Sequence, residues 1–122
     1  MAAPPSGDIL EDRLQRGIAF KVEGSYDEAV AEFNAVLEAE PQHAQAHRQL
    51  GLVFGFTGMF DESLEELQKS VELDPSSLDA RNDLALTYAM LGMVDDAKRE
   101  FEAVLEIDPA NAVAQKNMVY FQ

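Results

Sequence analysis

The side chains best equipped for chemistry in this chain are two histidines and a series of paired carboxylates. His43 and His47 stand four residues apart, a spacing that lets both share one helix face. Two imidazoles are too few to hold zinc without a carboxylate beside them, so they are expected as solvent-facing residues near a helix start. Paired carboxylates can do general acid–base work. Here they are Asp27/Glu28, Asp61/Glu62, Glu65/Glu66 and Asp95/Asp96. Three of the four pairs recur at one fixed interval, which points to a structural duty. Each would open a helix, where the helix dipole favours negative charge. The chain has no cysteine, which removes thiolate nucleophiles, thiolate metal sites and disulfides. No phosphate-cradling glycine loop, nucleophile elbow or metalloprotease helix is present. The expectation is a protein that is not an enzyme, with no catalytic residue, no metal site and no cofactor.

The interval belongs to the elements that position these residues. "VLEAEP", "VELDP" and "VLEIDP" end at Pro41, Pro75 and Pro109, 34 residues apart each time. Such a period is the mark of a repeat architecture. Aligned on the prolines, the units run 10–43, 44–77 and 78–111, with a tail at 1–9 and a further helix start at 112–122. Within a unit, position 8 is small (Gly17, Gly51, Ala85) and position 11 aromatic (Phe20, Phe54, Tyr88). Position 15 is glycine (Gly24, Gly58, Gly92), position 20 small (Ala29, Ser63, Ala97) and position 24 large and apolar (Phe33, Leu67, Phe101). Apolar residues three and four apart predict a first helix over positions 1–14. Glycine at 15 can take the left-handed conformation that ends it, and a second helix follows to the proline, which stops it. Ser25 with Glu28 reads as a capping box for the second helix of the first unit. Ser77 and Asn111 read as caps for the following first helices.

The 122 residues are 47% apolar, enough for a folded core, and carry a net charge of −14. That charge argues against nucleic acid and anionic membrane as partners, since both need a basic face. The start, "MAAPPSGD", has no signal-peptide pattern, and no apolar run approaches the roughly 20 residues of a membrane span. A soluble, cytoplasmic protein is the expectation.

The residues at positions 8, 11, 20, 24 and 32, on a 34-residue period, resemble the tetratricopeptide repeat (TPR) family, from residue 10 to 111 and into the tail. The resemblance implies an all-α fold: three tandem helix-turn-helix units plus a C-terminal helix, in a right-handed superhelical solenoid. In the first unit Arg13 and Arg16 replace apolar residues, which fits an end repeat with a water-facing side. His47 and Arg81 stand where the family often has an aromatic. Ala114, Met118 and Phe121 would fold back on the third unit.

The resemblance also implies a concave groove lined by first helices. Its lining would be Leu14, Arg48, Asn82 and Lys116 at position 5, and Gln15, Gln49, Asp83 and Asn117 at position 6. Ile18, Leu52, Leu86 and Tyr120 would follow at position 9, and Val22, Phe56 and Met90 at position 13. A column of amides can donate to and accept from a peptide backbone, and the apolar stripe beside it would take side chains. Charges in the groove balance, with Glu11, Asp79 and Asp83 against Lys21, Arg48 and Lys116. A variant of the fold that grips chaperone C-termini uses basic and amide residues at five positions. Here those positions hold Leu14, Ile18, Gln49, Asp79 and Asp83, so that function is not expected. The expected function is a non-catalytic module binding a protein or peptide segment. The alternatives are a homo-oligomeric scaffold joined through the groove or the apolar "MVYFQ" end, and a regulatory domain of a larger enzyme.

Overall fold

A computed structural model describes residues 6–121; the readings that fall on residues 1–5 and on Gln122 lie outside the described residues. Seven α-helices follow one another: α1 (Gly7–Glu23), α2 (Tyr26–Ala39), α3 (Ala44–Phe56), α4 (Phe60–Leu73), α5 (Leu78–Met90), α6 (Val94–Ile107) and α7 (Ala112–Met118). A 3₁₀ turn, Val119–Phe121, ends the described chain, and no strand occurs among the described residues. The first helix starts inside the segment read as a tail: Ser6 caps it, its hydroxyl accepting from the Ile9 amide at 3.3 Å.

Each pair of helices is closed by a glycine turn. Gly24, Gly58 and Gly92 have φ of 82°, 80° and 77°, a conformation that costs glycine little and other residues much. The amide after each glycine reaches back to the first helix: Ser25, Met59 and Met93 donate to the carbonyls of Phe20, Phe54 and Tyr88, each at 2.8 Å. This backbone closure corrects the expected capping box. Ser25 sits at ψ 70° and its side chain makes no cap bond. Three caps between units, His43, Ser77 and Asn111, do use their side chains and have more extended ψ values of 98°, 102° and 115°. They accept from the amides of Ala46, Ala80 and Ala114.

Within a unit the helices meet through a small residue and a large one. Phe33, Leu67 and Phe101 are almost completely buried. A Cβ added to Gly17 would lie 2.6 Å from the Phe33 ring, and one added to Gly51 would lie 2.8 Å from Leu67. Ser63 adds a hydrogen bond to this contact, donating to the Gly51 carbonyl at 2.7 Å. Between units, α2 packs on α3 and α4 on α5. One core cluster joins Leu14, Ala29, Phe33 and Val36 to Ala46, Leu50 and Val53. Another joins Ala85, Phe101 and Val104 to Ala114 of α7. Met118 and Phe121 pack against that second cluster, with the Phe101 and Phe121 rings 6.0 Å apart. Helix α3 turns the apolar Ala46, Leu50 and Val53 to the unit before it, whereas at the same repeat positions α1 carries the exposed Asp12, Arg16 and Ala19.

The histidines are not the solvent-facing pair expected. His43 caps α3 through Nδ1, and His47 is 7% exposed. Its Nδ1 lies 2.6 Å from Glu66 Oε2 and its Nε2 lies 2.8 Å from the Pro41 carbonyl. Arg81 makes the same two contacts in the third unit, to Glu100 at 3.1 Å and to the Pro75 carbonyl at 3.0 Å. Gln115 in α7 donates to the Pro109 carbonyl at 2.7 Å. Arg13 faces Glu32 at 3.8 Å, an ion pair too long for a hydrogen bond. Position 4 thus ties a first helix to its own second helix and to the proline turn before it. Among the described residues, no group of three or more His, Cys, Asp or Glu side chains could hold a metal, and no helix is long and apolar enough to cross a membrane.

Candidate functional site

Helices α1, α3 and α5 are the first helices of successive units, and consecutive ones touch. Their facing residues bring together five of the groove residues expected from the sequence. Leu52 and Phe56 from α3, and Asp83, Leu86 and Met90 from α5, line one cavity of about 280 Å³ together with Phe60 and Leu67 from α4. Phe56 and Met90 remain 60% and 65% exposed. Large apolar side chains kept this open do not serve the core, so the cleft is available to something else.

A polar line crosses the same three helices. Lys21 Nζ in α1 donates to Gln49 Oε1 in α3 at 2.5 Å. Arg48 Nε, also in α3, donates to Asp83 Oδ2 in α5 at 2.6 Å. Burial pushes the Asp83 carboxyl above its ordinary value, Arg48 opposes that rise by charge and hydrogen bond, and Asp79 adds to it. Burial lowers the Lys21 amine, as does the nearby Arg48 charge. Both groups are taken part-way out of water, and burial shifts each toward its neutral form despite the opposite charge beside it.

The column of position-6 residues is already engaged within the chain. Gln15 donates to Glu11 at 2.9 Å, Gln49 accepts from Lys21, Asp83 pairs with Arg48, and Asn117 donates to the Val113 carbonyl at 2.8 Å. Leu14 and Asn82 are buried, at 2% and 3% exposure. Leu14 belongs to the first core cluster, and Asn82 donates to Asn111 Oδ1 at 3.1 Å, joining α5 to the start of α7. Ile18 is half-buried against the same core. Lys116 is exposed, and Tyr120 is 77% exposed on the last turn. Sequence reading passed over Tyr26 and Phe60, which open α2 and α4 beside the groove. The Tyr26 and Phe56 rings lie 6.1 Å apart. Their signal was the recurrence of a large apolar residue at position 17: Tyr26, Phe60, Val94.

Two tetratricopeptide repeat family models match the sequence, one over residues 14–55 and the other over residues 57–118. The chain belongs to the tetratricopeptide repeat family. Solved TPR structures share its fold. The first TPR of Spaghetti (RPAP3) bound to the HSP90 peptide SRMEEVD superposes with a TM-score of 0.89 at 19% identity, over 98% of this chain and 94% of that one. The first TPR domain of human RPAP3 gives 0.85 at 21% identity, over 91% and 87%. The crystal structure of MamA gives 0.80 at 23% identity, over 86% and 61%. No curated protein sequence matches this one.

Proposed function

We propose that this TPR chain is a non-catalytic interaction module that holds a peptide segment of a partner protein in the cleft between α3 and α5, in the cytoplasm. The observation that carries the reading is the open cleft of Leu52, Phe56, Leu86 and Met90 with Asp83 at its side. Such a cleft matches the way helical scaffolds take peptides, with apolar anchors seated in a groove and polar groups setting register. Solved relatives in fold are bound to chaperone peptides, which supports a peptide as ligand class. The carboxylate clamp for a chaperone tail is not part of the proposal. At its five positions stand Leu14, Ile18, Gln49, Asp79 and Asp83, of which Leu14 and Gln49 are buried and Asp83 is tied to Arg48.

The test is selection from a peptide library against the immobilised chain, with rebinding to a Phe56→Ala, Leu86→Ala variant. Selected peptides should rebind the native chain and lose the variant, while circular dichroism shows unchanged helix content. Rebinding to both would place the binding surface elsewhere. A second reading, self-association through the C-terminal end, draws on the exposed Val113, Val119 and Tyr120. Light scattering at two concentrations, with Tyr120→Ala alongside, decides it: a monomer at both sets it aside.

A further inference from the structure

The residues on either side of each glycine turn extend the apolar cleft along its edge. Position 13 closes the first helices with Val22, Phe56 and Met90, all more than half exposed. Position 17 opens the second helices with Tyr26, Phe60 and Val94. The two positions meet across units. Tyr26 packs beside Phe56, and Phe60 lines the same cavity as Met90. Met59 and Met93, 44% and 39% exposed, stand at the turns beside them. The outcome is an apolar ridge built of two such contacts, Tyr26 with Phe56 and Phe60 with Met90, each joining one unit to the next.

Carboxylates neighbour the ridge residues in the chain. Directly after each position-17 residue come two acids: Asp27/Glu28, Asp61/Glu62 and Asp95/Asp96. All but Asp96 are exposed. Among the described residues, Arg99, paired with Asp96, is the one cation bridged to them. Helix dipoles account for acids in a first turn. They do not account for the apolar ridge left open beside them.

We propose that this edge docks a basic amphipathic helix, whose apolar stripe lies on Phe56, Phe60 and Met90 and whose lysines or arginines face these carboxylates. The proposal rests on the peptide-binding reading and names its partner class. Charge complementarity selects the sign, against a chain of net charge −14. Spacing selects the helix. Packed helices lie about 8–10 Å apart, and seven residues of α-helix rise about 10.5 Å, so residues a heptad apart reach successive units on one face. In a strand, three residues cover roughly that distance, and the third points to the opposite face.

The experiment compares two short helical peptides with the same leucine stripe, one with lysine and one with glutamate on the polar face, by fluorescence anisotropy at low and high salt. Three variants accompany the native chain. Asp27→Asn, Asp61→Asn, Asp95→Asn neutralises the edge. Glu38→Gln, Glu72→Gln, Glu106→Gln removes the same charge from exposed sites at the far end of α2, α4 and α6. Phe56→Ala opens the ridge. The lysine peptide should bind about tenfold or more tighter than the glutamate peptide, weaken about tenfold in the edge variant and with salt, and be unaffected by the far-end variant. Phe56→Ala should abolish it. Equal loss in both triple variants would mean undirected charge attraction and overturn the proposal. A glutamate peptide that binds as well through Phe56 would overturn the basic class and leave the groove standing. If neither peptide binds, the edge proposal falls, and the library selection decides separately whether the groove does.

Discussion

His47 Nδ1 lies 2.6 Å from Glu66 Oε2, 19 residues away in the sequence, and its Nε2 faces the carbonyl of Pro41. Both ring nitrogens therefore point at oxygens of the chain, one on the second helix of the unit and one on the proline turn before it. Arg81 with Glu100 and the Pro75 carbonyl repeats the arrangement with a guanidinium.

Cutting the tie at His47 should be costly. In His47→Ala the Pro41 carbonyl loses its side-chain donor, and Glu66 keeps only the more distant Lys69 at 3.7 Å. The expected loss is about 2–3 kcal/mol of unfolding free energy, read by urea denaturation. His47→Arg supplies the same donors as Arg81 and should recover at least half of it. Equal loss in both variants would mean that ring packing, not the tie, matters here.

Gly51→Ala should destabilise although alanine is the better helix former by about 1 kcal/mol. The new Cβ would meet Leu67 Cγ at 2.8 Å and the Ser63 carbonyl at 3.3 Å. Overpacking of this kind costs about 1–3 kcal/mol, which thermal denaturation would register as a lower midpoint. Ala85 at the same repeat position shows that the unit with Phe101 leaves room for a methyl, so Ala85→Gly should not stabilise the chain.

The Arg48–Asp83 pair predicts a particular pH dependence. Asp83 has its carboxyl raised from an ordinary 3.8, chiefly by burial. The native state then holds a proton that the unfolded state has released. Its contribution is fully present below the ordinary value and is lost as pH rises through the raised one. Asp83→Asn removes this one loss. Against other acids whose contributions are unchanged, the difference in stability, variant minus native, should grow in the variant's favour as pH rises from about 4. A pH-independent difference would show that Arg48 cancels the burial completely.

The repeat period, the glycine turns and the caps at Ser77 and Asn111 were legible in the sequence, because each depends on residues close in the chain or on an exact recurrence. The small residues at position 8 and the large ones at 24 recur as plainly, but that they meet each other is shown only by the folded pair. The capping box at Ser25 misled because the turn is closed by backbone amides, which fix ψ where a hydroxyl cannot reach the helix. The tie at position 4 was hidden in plain sight. Arg13, His47 and Arg81 each face a glutamate at position 23, Glu32, Glu66 or Glu100, but the partners come together only when two helices fold back. Position 5 divided for a different reason. It lies at the border of core and groove, so length and polarity decide: Leu14 turns into the apolar core, Asn82 finds Asn111, and Lys116 stays in water. Of the expected apolar lining, Leu52, Phe56, Leu86 and Met90 meet in one cleft while Leu14 and Ile18 pack with the core, and nothing in the spacing shows that Lys21 and Arg48 would occupy Gln49 and Asp83.

The main helix contacts run from each helix to the next, and from one first helix to the following one. No part of the fold's main framework waits for the two ends of the chain to find each other. Loop-closure entropy grows with the length of chain enclosed, and here the enclosed lengths stay near a single repeat. Low contact order of this kind goes with fast folding. A nucleus can form at any helix pair and spread outward one neighbour at a time. The 34-residue period is therefore a kinetic property as much as an architectural one: it sets the longest search the chain has to make.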